Sequence, residues 1–312
     1  MVSGSLRLLP LLLVLIVFGA LAVFFRQPGE APSESEIEEK DYLQGGYRVE
    51  LVPILGSRVP GRDNRIFGVK VEFQGFSKVF SWDTGAIEGT LVSSRLAREL
   101  GLELLPVKDT SWRDSLGKPI LVGEGRLSFR LFNDTYRDHP VRVYREEVFP
   151  FIDGFLGSDI LLRYQWTIDP ESSTMVVRQP GSSLGGALAV IPLTIENGMV
   201  FLPGKINDRE VSFFLDTGLS DTTLPPSAVE ELGIERKKMG FETPNLGRLD
   251  YAFADVQLGN VTFNNSFLFL MEQPMWVYPM LGQSVLNQVA YTFDPELKVL
   301  VVHEKSRILS QK

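Results

Sequence analysis

Cysteine is missing from the 312 residues, and histidine occurs only twice, as His139 and His303. Without cysteine there is no thiol nucleophile, no disulfide framework and no thiolate-held zinc or iron–sulfur centre. Two scattered histidines, with no H-E-x-x-H and no second imidazole at ligand spacing, argue against a histidine-rich metal site. Basic side chains are also in deficit, 31 against 39 acidic for a net charge of −8, and no local Lys/Arg cluster offsets this, so no nucleic-acid partner is expected. What remains open is chemistry done by carboxylates and hydroxyls, with neither metal nor cofactor expected. The missing cysteine does not fix the compartment, since exported proteins also exist without bridges.

One long apolar run is present. Leu8 to Phe25 reads LLPLLLVLIVFGALAVFF, eighteen uncharged residues, near the lower end of the roughly 17 to 25 that cross a bilayer core as a helix. It is a membrane anchor or a signal peptide. The Ala20-Leu21-Ala22 triplet resembles a cleavage site, but Val23, Phe24 and Phe25 carry the apolar run past it, which favours an uncleaved anchor. Gln27 to Gly46 holds six acidic residues and one lysine, the composition of a solvated tether with an r.m.s. reach of about 25 Å. A short cytoplasmic tail with an extracytoplasmic body, periplasmic or extracellular, is the expected arrangement.

The remaining body is a sequence written twice. FSWDTGAIEGTL (80–91) and FFLDTGLSDTTL (213–224) both place Asp-Thr-Gly after a large apolar residue and a leucine eight residues after the aspartate. Helix signals follow each: Ser93 and Ser94 can cap a stretch ending at Gly101, and Pro225 and Pro226 can open one ending at Gly233. Further on, FLG at 155–157 and MLG at 280–282 each lead, without a gap, to a Thr-x-Asp-Pro-Glu turn at 167–171 and 292–296. Val52-Pro53-Ile54 and Ile191-Pro192-Leu193 read as the matching opening strands. Short apolar runs such as 67–73, 126–131, 211–215 and 299–302 alternate with Gly, Asn and Pro turns, which points to an all-β body with a few short helices.

Two copies of Asp-Thr-Gly in one chain are expected by chance only at a level of about a few per thousand. Two carboxyls brought together in a poorly solvated cleft cannot both ionise comfortably, so the pair holds one proton and titrates as a unit. The ionised member can activate water as a general base while the protonated one polarises a carbonyl, which suits peptide hydrolysis without metal or thiol.

With these motifs the chain resembles the aspartic proteases, specifically retropepsin-like (retroviral-type) lobes in tandem, joined in a bilobal, pepsin-like arrangement. The resemblance runs from about Tyr47 to Val302. It implies an all-β bilobal acid-protease fold preceded by the N-terminal helix: anchor 1–26, tether 27–46, first lobe 47–177, linker 178–188, second lobe 189–304 and tail 305–312. It implies that Asp83 and Asp216 are the catalytic dyad, that Thr84 and Thr217 exchange hydrogen bonds between the lobes, and that Gly85 and Gly218 let backbone amides approach the carboxylates. Gly157 and Gly282 would pack behind the catalytic loops. A flap over the substrate is expected at Trp112 to Gly125, with Trp112 and Gly117 as candidate flap residues and the Gly247 region as its shorter counterpart.

The second motif departs from the family in Leu219, where Ala or Ser is usual, and no pepsin-type flap tyrosine is seen. The resemblance implies an endopeptidase, membrane-tethered through the N-terminal segment, acting as a monomer on a peptide or protein substrate. The alternatives are a non-catalytic peptide-binding or scaffold module using the same cleft, and an obligate dimer pairing lobes of different chains. The Asp-Pro pairs at 169–170 and 294–295 read as turns, the N-x-S/T tripeptides at Asn133, Asn260 and Asn264 as unremarkable, and the two histidines as surface or strand residues.

Overall fold

The computed structural model describes residues 46–303 except 57, 60, 61, 108–112, 114–116, 184, 244–246 and 272–277. The expected anchor, nearly all of the tether, Trp112 and the tail 305–312 lie outside the described residues. Among the described residues no helix is long and apolar enough to cross a membrane.

The first half supplies β1 (Tyr47–Glu50), β2 (Val52–Leu55), β3 (Arg58–Val59), β4 (Arg62–Asp63), β5 (Ile66–Phe73), β6 (Phe76–Trp82), β7 (Leu91–Ser93), β8 (Leu121–Leu131), β9 (Asp134–Tyr144), β10 (Gly154–Leu156), β11 (Gln165–Asp169) and β12 (Thr174–Arg178). The second supplies β13 (Ala187–Pro192), β14 (Thr194–Glu196), β15 (Met199–Ile206), β16 (Arg209–Leu215), β17 (Thr223–Leu224), β18 (Lys237–Thr243), β19 (Gly247–Leu258), β20 (Val261–Met271), β21 (Met280–Leu281), β22 (Ala290–Asp294) and β23 (Val299–His303). Among the described residues four short helices intervene: α1 (Ser94–Glu99), α2 (Ser158–Leu161), α3 (Pro226–Glu231) and α4 (Gln283–Leu286). The body is therefore mostly β.

Local chemistry explains the elements. In β5, Val69 and Val71 are buried while Lys70 and Glu72 are exposed, the period-two pattern of a strand with one face on a core. The β15–β16 hairpin closes on Asn207 and Asp208, both at positive φ, a two-residue turn that matches strand twist. Ser93 caps α1 by accepting from the Leu96 amide at 3.1 Å, and Pro226 opens α3 at a position where the missing N–H costs nothing.

Each half folds its own sheet, in the order β2-β5-β6-β10-β7-β9-β8 and β14-β15-β16-β21-β17-β20-β19-β18. A third sheet, β1-β12-β11-β22-β23-β13, takes three strands from each half. At its centre β11 pairs antiparallel with β22, Trp166 facing Phe293, Thr167 facing Thr292 and Ile168 facing Tyr291. These are the same positions of the two copies, so a pseudo-two-fold axis runs between Thr167 and Thr292. Trp166 stacks on Phe293 at 4.9 Å and meets Trp82 edge-on at 5.8 Å, which welds the halves through one apolar core.

The Gly/Ser/Pro-rich joint lies across one face of this sheet. Its Gly181 amide donates to Asp294 Oδ2 at 2.9 Å, and Gln165 Nε2 donates to the Ser182 carbonyl at 2.8 Å. Asp294 Oδ1 also accepts from the Glu296 and Leu297 amides, the turn role read for it in the sequence.

One reading needs correction and another narrows. Val52-Pro53-Ile54 and Ile191-Pro192-Leu193 are not equivalent: Val49 pairs with Met175 as Ile191 pairs with Leu300, so β1 matches β13 and the two tripeptides are out of step. Val49 and Ile191 are 142 residues apart, against 133 for Asp83 and Asp216, so the first half carries nine extra residues in between. They form the β3–β4 excursion between β2 and β5. The histidines are strand residues but not surface ones. His139 in β9 and His303 in β23 are both buried.

Candidate active site

Asp83 and Asp216 sit at the ends of β6 and β16, and the chain behind each loop is held identically. The Asp83 amide donates to the Leu156 carbonyl and the Asp216 amide to that of Leu281, both at 3.1 Å. The glycines that follow, Gly157 and Gly282, lie flat against the loops. A Cβ on Gly157 would come within 2.2 Å of the Ala86 carbonyl oxygen, and one on Gly282 within 2.8 Å of the Leu219 carbonyl oxygen. Only glycine fits such an approach without displacing backbone.

The two threonines tie the loops together. Thr84 and Thr217 are buried. Each hydroxyl accepts from the opposite threonine amide at 3.0 Å and donates at 2.7 Å to a carbonyl of the opposite strand, Leu215 for Thr84 and Trp82 for Thr217. Four reciprocal bonds thus cross the interface within one turn of each aspartate.

The glycines set how closely the carboxyls approach. A Cβ on Gly85 would lie 2.6 Å from the Asp216 carboxyl, and one on Gly218 would lie 2.2–2.4 Å from that of Asp83. Each glycine therefore clears space for the other half's aspartate. Each also supports its own: the Gly85 amide donates to Asp83 Oδ1 at 2.7 Å and the Gly218 amide to Asp216 Oδ1 at 3.0 Å.

Burial pushes the Asp83 carboxyl up to about 6, against the pull of amides from Gly85, Ala86 and Gly218 and of a hydrogen bond from Asp216. Asp216 is pushed well above the carboxylate range by burial, then by the charge of Asp83 and by donating to it, with the Gly218 and Leu219 amides opposing. Both carboxyls are thus raised, and the pair shares a proton and titrates as a unit. Leu219 takes the place of a small residue without disturbing this. Its side chain is buried, and its carbonyl accepts from the Gln283 amide at 2.8 Å.

The candidate flap is placed in part. Arg113 bridges Pro119, the Arg113 guanidinium donates to the Gly117 carbonyl at 2.7 Å, and Gly117 sits exposed at φ +74°, the conformation a tight tip needs. Trp112 is outside the described residues. In the second half β18 and β19 form the corresponding hairpin, with Gly247 facing Thr243.

Other residues around the loops went unread in the sequence. Arg62, on the nine-residue excursion, crosses to the second half and pairs with buried Asp221 at 2.5 Å. Asn64 also donates to Asp221, at 3.2 Å. Asp221 lies five residues after Asp216; the equivalent Glu88, five after Asp83, instead pairs with Arg142 of its own half. On the other side the Asn197-Gly198 turn meets Ile87 and Ser158, a Gly198 Cβ lying 2.8 Å from Ser158 Oγ. Gln283 Nε2 holds the Thr217 carbonyl at 2.7 Å. Asp159 accepts from Thr90 at 3.0 Å and contacts His139 Nε2 at 2.7 Å.

The family described as gag-polyprotein putative aspartyl protease matches residues 202–288, a span that contains Asp216 to Gly218 and Gly282. Among solved structures, a retropepsin-like aspartic protease from Rickettsia conorii aligns with 18% identity over 36% of this chain and 88% of that one, at a TM-score of 0.30. No curated protein sequence matches significantly.

Proposed function

We propose that this chain, whose residues 202–288 match the gag-polyprotein putative aspartyl protease family, is a retropepsin-like aspartic endopeptidase whose dyad is Asp83 and Asp216. The observation that supports this most is the facing pair itself: two carboxyls from equivalent loops, each fitted against the other half's glycine and sharing a hydrogen bond. Ionised Asp83 takes a proton from a water held between the carboxyls. The water oxygen attacks the scissile carbonyl while Asp216 gives its proton to the carbonyl oxygen. Asp83 then gives its proton to the leaving nitrogen while ionised Asp216 takes back a proton from the gem-diol; the C–N bond breaks, the carbonyl re-forms and the dyad returns to its starting state with no covalent enzyme intermediate. Backbone amides of Gly85 and Gly218 hold the carboxyls in position, so little reorganisation accompanies the step.

In this reading the substrate is an extended peptide segment lying between the halves, under the loop at Arg113 to Pro119 and the β18–β19 hairpin. Both aspartates come from one chain, which supports a monomeric enzyme. The apolar run 8–25 and the acidic stretch after it support a body tethered outside the cytoplasm. The test is peptide-library cleavage by the full chain alongside Asp83→Asn and Asp216→Asn. Loss of turnover in both variants with an unchanged circular dichroism spectrum is expected; cleavage persisting in both would refute the assignment.

A further inference from the structure

The two halves present unlike walls beside their catalytic loops. On β19 and β20, Ala252, Ala254, Leu268 and Leu270 point into the core, so Tyr251, Phe253, Phe267 and Phe269 share the opposite face. In register, Tyr251 faces Phe269 and Phe253 faces Phe267. Tyr251 stacks on Phe267 at 5.6 Å, and Phe253 meets Phe267 edge-on at 5.7 Å. The ladder opens outward: Phe269 is 7% exposed, Tyr251 and Phe267 are half-buried, and Phe253 is 39% exposed.

This ladder is continuous with the candidate site. The Phe269 amide donates to the Thr222 carbonyl at 2.9 Å, six residues after Asp216. Arg62 lies over Phe267 at 4.0 Å while pairing with Asp221. The equivalent ladder in the first half has the same register, with Glu124 facing Arg142 and Arg126 facing Pro140. There Arg142 pairs with both Glu88 and Glu124. One wall is aromatic, flanked by Arg62 over Phe267 and Lys237 at 5.2 Å over Phe253, and its counterpart carries charged side chains in place of the rings.

We infer that the Tyr251, Phe253 and Phe267 face is an extended substrate subsite, which takes an aromatic or branched apolar side chain on one side of the scissile bond, beyond the residues that bracket it. Exposed aromatic area beside a cleft gains by burial against such a side chain. A symmetric cleft would accept a peptide in either direction; an aromatic wall on one half and a charged wall on the other selects one. The inference rests on the peptidase reading above.

The test compares the full-length wild type with Phe253→Arg, which installs the residue type of Arg126, and with Tyr251→Ser. Long peptides with a single phenylalanine scanned outward on either side of the bond are set against short ones that only bracket it. The wild type is expected to favour phenylalanine at a distal position on one side only. Both variants should raise KM for those long peptides about five-fold with kcat unchanged, and leave short peptides unaffected. An unchanged KM for long peptides, or an equal loss on short ones, overturns the subsite. If the wild type cleaves nothing, calorimetry with the same peptides separates the two ideas. Tighter, Phe253-dependent binding of the long peptides keeps the subsite and defeats the hydrolytic reading, whereas equal binding of long and short peptides defeats the subsite.

Discussion

Thr167 and Thr292, the same residue of the two copies, meet hydroxyl to hydroxyl at 2.7 Å across the pseudo-two-fold axis. Arg178 donates to Thr167 at 3.0 Å, and His303 Nε2 lies 2.6 Å from Thr292 Oγ1. Burial keeps His303 below its ordinary pKa and so favours the neutral ring. The axis is thus marked by a buried polar chain rather than by an apolar seam. Thr292→Val removes the hydroxyl shared by Thr167 Oγ1 and His303 Nε2, and should destabilise the protein by about 1–3 kcal/mol in denaturant titration. The double variant Thr167→Val, Thr292→Val should cost less than the sum of the single ones, because it removes both ends of the shared bond.

The threonines of the catalytic loops carry a different burden. Thr84→Val removes a hydroxyl that both accepts and donates across the interface. It should cost about 2–4 kcal/mol and slow turnover, while Thr84→Ser retains most of both. Unfolding midpoints and kcat, measured on the same preparations, check this.

Glycine's role at the dyad is testable by a single methyl group. In Gly218→Ala the new carbon would lie within 2.4 Å of the Asp83 carboxyl. The carboxyls must separate, and kcat should fall by about 10²-fold or more, because a misplacement near 1 Å costs that much. Near-wild-type kcat would show that the loops can relax without disturbing the pair.

The dyad's pH behaviour has a sign. A carboxyl whose pKa rises on folding binds more protons in the native than in the unfolded chain between the two values, so stability falls as pH climbs through that window. For Asp83 this window runs from 3.8 to about 6. Asp83→Asn removes the penalty and should stabilise the fold by about 3 kcal/mol at pH 8, with little gain at pH 4. Turnover needs Asp83 ionised and Asp216 protonated, so kcat/KM should decline below about pH 6 and again when Asp216 loses its proton. A maximum near pH 3 to 4 would contradict this arrangement.

The Arg62–Asp221 pair across the halves and the Arg98–Glu146 pair within the first half should differ in strength. Asp221 is buried and Arg62 only part-exposed, whereas the Arg98–Glu146 pair is largely open, the arginine 67% exposed. Arg62→Ala should destabilise by about 2–3 kcal/mol, because it leaves a buried carboxylate held by the neutral donors Asn64 and Ser220 without its cation. Arg98→Ala should leave stability nearly unchanged, because solvent screens the exposed pair. Chemical denaturation of the two variants distinguishes them.

Much of this was legible because it is written twice. Asp83, Thr84 and Gly85 recur as Asp216, Thr217 and Gly218, and the later glycines recur behind them, so duplication alone identified the pieces that the structure brings together. Elements present once left no such trace. The β3–β4 excursion reads as a loop, and only its surplus length separates the copies, so the Arg62–Asp221 pair was invisible although Asp221 stands in the second motif. The tripeptides at 52–54 and 191–193 misled because Pro recurs in both while the true register follows the pairing of β1 and β13. The histidines' burial depends on their partners, Asp159 on α2 for His139 and Thr292 on the neighbouring β22 for His303, which composition cannot anticipate. The aromatic ladder emerges only once β19 and β20 are set in register.

The nine-residue excursion has a further meaning. An interface between two copies of one polypeptide must present every contact twice, so any change is felt on both sides and must suit both. Here Arg62 reaches Asp221 on one side, while the other side closes with a bare turn at Gly198. Once both halves were encoded together, each flank could mutate independently, and a single substitution could sharpen one end of the molecule without burdening its mirror image.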